Sequence, residues 1–228
     1  MSRTLNVVRM QLINRNTYIW IPLLILTGAF VLSLAVYALI PSDGVIVGGG
    51  AQAPLWYFLV VGVQSLTLTF PFSQAMSVTR REFFLGTYLT AAITAAILSI
   101  VFVIGGLIEQ ATNGWGMNGY VFYLDGVWQG GPLSAFAFYF LLALGFFSVG
   151  FWSATLYKRF GGVWLTLVLT AVGALLVGVM WVIGRTDSWG AVFEWFAAQG
   201  SIGLALWSIV LIALLAVTSF IPLRRAVP

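Results

Sequence analysis

Six apolar stretches, Tyr18 to Ile40, Leu55 to Met76, Thr87 to Ile108, Pro132 to Tyr157, Val163 to Ile183 and Ile202 to Ile221, contain no Asp, Glu, Lys or Arg. Each has the length, about 18 residues or more, that an α-helix needs to cross the ~30 Å hydrocarbon core of a bilayer. Lipid offers the backbone no hydrogen-bond partners, so such stretches must satisfy their own N–H and C=O groups, as helices do. The expected fold class is all-α: a single polytopic membrane domain over residues 1–228 with six transmembrane helices. Only 7% of the residues are charged, far below the roughly 25% of soluble domains. The first stretch follows three arginines and lacks a small-residue cleavage pattern, so it reads as a retained span and not as a signal peptide.

The few charges are sorted by loop. With the N-terminus inside, Arg3, Arg9, Arg15, Arg80, Arg81, Lys158, Arg159, Arg224 and Arg225 fall on one side with a single acid, Glu82, a balance of +8. The other side holds Asp43, Glu109, Asp125, Asp187 and Glu194 with only Arg185, a balance of −4. Lys and Arg resist translocation, so both termini are expected in the cytoplasm. Trp20, Trp152, Tyr157 and Trp164 at one set of span ends, and Trp56, Tyr57, Trp181, Trp189 and Trp195 at the other, fit interfacial belts. The basic residues are scattered between spans instead of gathered on one face, which argues against a nucleic-acid partner.

The same sequence excludes much chemistry. It has no Cys and no His, so thiolate chemistry, the commonest metal ligands and the commonest general base are missing. No ionisable group lies within a span, which disfavours an ion-coupled carrier. The phosphate loop G-x-x-x-x-G-K-[ST] is absent. The chain is therefore expected to be no enzyme, with no catalytic residue, metal or cofactor of its own. Gly48, Gly49 and Gly50 read as a turn.

The second span is the most polar. Gln64, Thr67, Pro71 and Gln74 recur at helical spacing and share a face. Two readings stand for that face: hydrogen bonding between helices, worth about 0.6 kcal/mol each, or the lining of a substrate path. Ala91, Ala92, Ala95 and Ala96 in the third span, and Gly173, Ala174 and Gly178 in the fifth, read as sites of close helix packing. Phe136, Phe138, Phe140, Phe146, Phe147 and Phe151 in the fourth read as filler sooner than as an aromatic ligand box. The apolar run at Val192, Phe193, Trp195 and Phe196 within residues 184–200 reads as a candidate re-entrant element.

Between the second and third spans the chain reads Ser77-Val78-Thr79-Arg80-Arg81-Glu82-Phe83-Phe84-Leu85-Gly86. Thr79 and Glu82 have capping-box spacing, so a short helix is expected to start at Thr79 and stop near Gly86, separate from the third span. Arg80 and Arg81 then crowd its first turn, where the helix dipole disfavours cations. Beside them Phe83, Phe84 and Leu85 are expected to be exposed, a surface suited to docking on a soluble partner. This segment resembles the coupling helix of bacterial ABC-2 type permeases, and the six-span layout is similar to that family throughout.

The resemblance implies the membrane-spanning permease subunit of an ATP-binding cassette exporter in the bacterial plasma (inner) membrane. Thr79, Arg80, Arg81, Glu82, Phe83, Phe84, Leu85 and Gly86 would contact separate ABC ATPase subunits, which bind ATP and magnesium. A second permease copy, or a related permease, would complete the pathway, with membrane lipid around it. The lead-in from Ser2 to Arg15 would be an amphipathic elbow helix. Leu5, Val8 and Leu12 align there, while Arg9 falls beside that stripe and Val7 and Met10 fall opposite. The alternative reading is a non-transporting membrane scaffold or assembly factor that binds a cytoplasmic partner through the same loop.

Overall fold

The computed structural model describes residues 3–40 and 44–223. Ser2, Asp43, Arg224 and Arg225, which enter the readings above, lie outside the described residues. Helix α1 (Arg3–Ile13) leads through a π-helical turn into α2 (Ile21–Leu39). Helices α3 (Ala53–Gln64) and α4 (Phe70–Ala75) form one run bridged by a π-helical turn at residues 65–69. Pro71 accounts for that irregular turn, because it has no N–H to give the carbonyl four residues back. Then come α5 (Arg80–Ala111), the short α6 (Asp125–Trp128), α7 (Gly131–Phe160), α8 (Gly162–Arg185) and α9 (Trp189–Leu223). The strands β1 (Ile46–Val47) and β2 (Gly119–Tyr120) make one two-residue parallel pairing between loops.

Among the described residues, six helical runs are long and apolar enough to cross a membrane: Asn16–Leu39, Gly50–Ala75, Arg80–Ala111, Gly131–Phe160, Gly162–Arg185 and Trp189–Leu223. Most ends fall within a few residues of the sequence expectation. The sixth run differs because residues 189–199 are already helical and join the span through Gly200 at φ 59°, ψ −174°. Only glycine adopts that backbone readily. The candidate re-entrant segment is thus a short helix set off from the main one by a sharp bend.

Helix α7 is the centre of the bundle, with α3, α9 and α5 against it. Two glycines explain how α3 comes so near. A Cβ on Gly62 would collide with the carbonyl of Phe147, and one on Gly150 with the carbonyl of Leu59. Backbones in such contact gain dispersion and weak Cα–H···O bonds, which count where no hydrophobic effect drives helices together. Phe147 and Phe151 are fully buried, as are Ala91 and Ala95 of α5 at 1% exposure or less, so filler and close packing are the roles seen. Helix α8 behaves otherwise. None of its residues is buried, and a Cβ on Gly173 or Gly178 would meet open space. Gly173 and Gly178 of the fifth span face no close neighbour among the described residues.

Helix pairing also sorts the charges. Helix α5 runs antiparallel to α7, with Tyr88 beside Phe147 and Phe151 at one end and Phe102 beside Tyr139 at the other. Arg3, Arg9, Arg15, Arg80, Arg81, Lys158 and Arg159 therefore gather at one end of the bundle, the α1 end. Glu109, Asp125, Arg185, Asp187 and Glu194 lie at the distal end.

Candidate functional site

The expected capping box is present. Glu82 N–H donates to Thr79 Oγ1 at 3.3 Å, and Glu82 Oε2 accepts from Thr79 N–H at 3.0 Å and from Thr79 Oγ1 at 2.8 Å. The helix it starts does not stop at Gly86. It continues unbroken to Ala111, so the separate short helix is replaced by the first two turns of a single long one. Gly86 acts here as a gap instead of a terminator. Its φ is not positive, and a Cβ there would meet Val7 Cβ at 2.6 Å and the Thr4 carbonyl at 3.0 Å. The missing side chain is what lets α1 lie against α5.

The periodicity of that continuous helix corrects the expected exposure of its aromatics. Phe83 is fully buried, edge-on to Phe70 of α4 at 5.1 Å between ring centroids. Phe84 is half-buried, in contact with Tyr88, Phe151 and Phe220. Leu85 and Arg81 remain exposed, and Arg80 and Glu82 are half-buried. Residues three and four apart share a face. Phe83, Gly86, Thr87 and Thr90 turn inward, whereas Arg81, Phe84, Leu85 and Tyr88 turn toward α9.

Helix α1 is formed as the amphipathic lead-in requires, but its stripe is rotated. Val7, Val8 and Gln11 are buried, and Leu5 is 45% exposed. The reason is a polar match: the buried Gln11 Nε2 donates to Thr87 Oγ1 at 2.8 Å, beside the Gly86 gap. Apolar spacing by itself favours Leu5, Val8 and Leu12, and it carries no signal for a buried amide with a hydroxyl partner.

Of the candidate substrate-path residues, Gln64, Thr67, Pro71 and Gln74 are all half-buried. Thr67 Oγ1 donates to the Val63 carbonyl at 3.0 Å and Gln74 Nε2 to the Val78 carbonyl at 3.1 Å. Both bonds stay within the segment, so for these two residues bonding to another helix is not what is seen. Gln74 instead ties down the turn that leads to Thr79.

The most developed polar arrangement was not singled out by sequence. Glu109, in the last turn of α5, is fully buried. Its Oε1 accepts from Trp115 Nε1 at 3.0 Å and from Val121 N–H at 2.9 Å. Its Oε2 accepts from Phe122 N–H at 2.8 Å and from Tyr123 N–H at 2.7 Å. An ionised carboxylate has acceptor capacity for four donors, which compensates the cost of removing its charge from water. Around it, Tyr139 and Trp128 both donate to the Phe122 carbonyl, at 2.8 and 3.1 Å, and Tyr37 donates to the Tyr120 carbonyl at 3.2 Å.

The loop so held is a strained one, since Asn113, Trp115 and Asn118 all have positive φ, uncommon for residues with a side chain. This clasp fixes the distal loop to α5. The sequence places one acid before a segment rich in Gly, Asn and aromatics, and that pattern fits a solvated surface charge equally well.

The structure thus concentrates its distinctive features at the two ends of α5. One is the capped, basic end on which α1 is seated, and the other is the Glu109 clasp. Comparison with known proteins finds no matching family model, no matching curated protein and no matching solved structure.

Proposed function

We propose that the chain is the permease subunit of an ATP-driven exporter, seated in a bacterial plasma membrane with both termini inside, and that a separate ATPase docks at the α1 end. The observation that carries this reading is the length and seating of α5. Its 32 residues extend about 48 Å at 1.5 Å each, well beyond the ~30 Å hydrocarbon core. The surplus falls partly at the basic end, where α1 is clamped to it through Gly86 and the Gln11–Thr87 bond. A force applied there moves α1 and α5 together, and α5 carries it to the Glu109 clasp.

The docking surface in this reading is the tip of the hairpin between α4 and α5. Met76 is 59% exposed, and Ser77 and Thr79 are exposed. Met is a suitable anchor, because its unbranched side chain adapts to a partner's groove. Phe83, buried against Phe70, supports the tip from inside. Helix α8, unburied within this chain, is the face proposed to meet a second permease copy.

Purification of the tagged chain from its native membranes tests the reading. An ATPase bearing a phosphate loop should co-purify in a fixed ratio, and Met76→Asp should release it while the membrane domain stays folded. Loss of an anchor of this kind costs about 2 kcal/mol, roughly thirtyfold in affinity. Recovery of no ATPase, or of one indifferent to Met76, would return the chain to the scaffold reading.

A further inference from the structure

At the α1 end the inner turns of α5 and α9 leave a groove of about 380 Å³, walled by Phe84, Leu85, Val217, Phe220 and Ile221 and bordered by Arg81. Val217 and Ile221 are 60% and 59% exposed and Leu85 is 47% exposed, so the groove opens sideways, away from the bundle. We propose that it is a binding site for an anionic phospholipid, with the headgroup phosphate on Arg81 and the upper part of an acyl chain along the groove.

Three observations point to that occupant. Among the described residues the walls other than Arg81 are apolar side chains, which offer the backbone N–H and C=O groups of a peptide laid there no partner. An acyl chain brings no such groups. The acid nearest Arg81 in sequence, Glu82, has its Oε2 engaged in the Thr79 cap. Arg81 also stands in the first turn of its helix, where a cation is unfavourable. A phosphate beside it reverses the sign of that interaction. Basic pockets between membrane helices at this depth recognise lipid headgroups by the same pairing, and the long Arg stem reaches the headgroup level while covering apolar surface.

The inference rests on the membrane reading of the six helices and not on the exporter reading. Its test therefore needs no ATPase. The full chain in detergent micelles is titrated with dioleoyl-phosphatidylglycerol or dioleoyl-phosphatidylcholine, and bound lipid is counted by native mass spectrometry.

The parent should retain phosphatidylglycerol preferentially, and Arg81→Gln should reduce that preference about fivefold, the weight of one basic residue at an anionic surface. Arg81→Lys should keep most of it. Val217→Trp, which fills the groove from its exposed side, should lower occupancy by both lipids. Arg9→Gln, on the exposed face of α1, removes the same charge away from the groove and should leave the preference intact. Equal binding of the two lipids by the parent overturns the proposal. So does an Arg9→Gln effect as large as that of Arg81→Gln, which would show charge attraction without a site.

Discussion

Glu109 is the residue on which most depends. Its oxygens each accept two N–H donors, so replacement by glutamine preserves shape but turns an NH₂ group toward one of the two donor pairs. Two donors then lose their acceptor around a fully buried carboxylate, at about 1–3 kcal/mol each. Glu109→Gln should therefore destabilise the protein by about 2–6 kcal/mol, and Glu109→Ala by more. Thermal unfolding followed by tryptophan fluorescence checks this, and an unchanged midpoint for Glu109→Gln would refute it. The sequence showed the acid and the Gly-Asn-aromatic segment after it, but not that they meet. Periodicity reports which residues avoid water, and an acid satisfied by backbone N–H groups leaves no trace in it.

Among the elements, the junction of α1 with α5 shows where local rules mislead. Thr79 and Glu82 were legible as a cap because a cap is closed by residues three apart. Gly86 has the look of a stop because glycine commonly ends helices, yet here it makes room for Val7, a neighbour far away in sequence. Gly86→Val should accordingly push α1 off its seat without unwinding α5. Overpacking of this kind costs about 1–3 kcal/mol, enough to raise the population of detached α1 by about fivefold or more. Tryptic cleavage after Arg9 should accelerate correspondingly, and a rate equal to that of the parent would mean that α1 is held by other contacts. The same neighbour accounts for the rotated stripe on α1, which faces Thr87 through Gln11 and not through the Leu5 line.

For the whole molecule, the spans were legible almost to their ends because length and apolarity are local properties. The bend at Gly200, the bare surface of α8 and the glycine contacts between α3 and α7 were not, since each depends on what stands opposite. The charge asymmetry between the two ends predicts the orientation. The chain has no natural cysteine, so single cysteines can be placed without background. Ser77→Cys and Arg159→Cys should resist a membrane-impermeant maleimide in intact cells, whereas Asn113→Cys and Ser188→Cys should react; the reverse pattern would invert the orientation. The hydrogen bonds of the two ends of α5 also differ in how far along the chain they reach, and this sets a schedule for synthesis. Glu109 finds its backbone donors 12 to 14 residues downstream, and a loop of about that length closes in roughly 10–100 ns, long before a ribosome adding about 5–20 residues per second supplies another residue. Gln11 must wait for Thr87, 76 positions later, or roughly 4–15 s at the same pace. The clasp can therefore be tied as soon as its loop has emerged at the distal side, while α1 spends several seconds without its seat, and that interval is when the nascent chain most needs the membrane surface or a chaperone to cover Val7 and Val8.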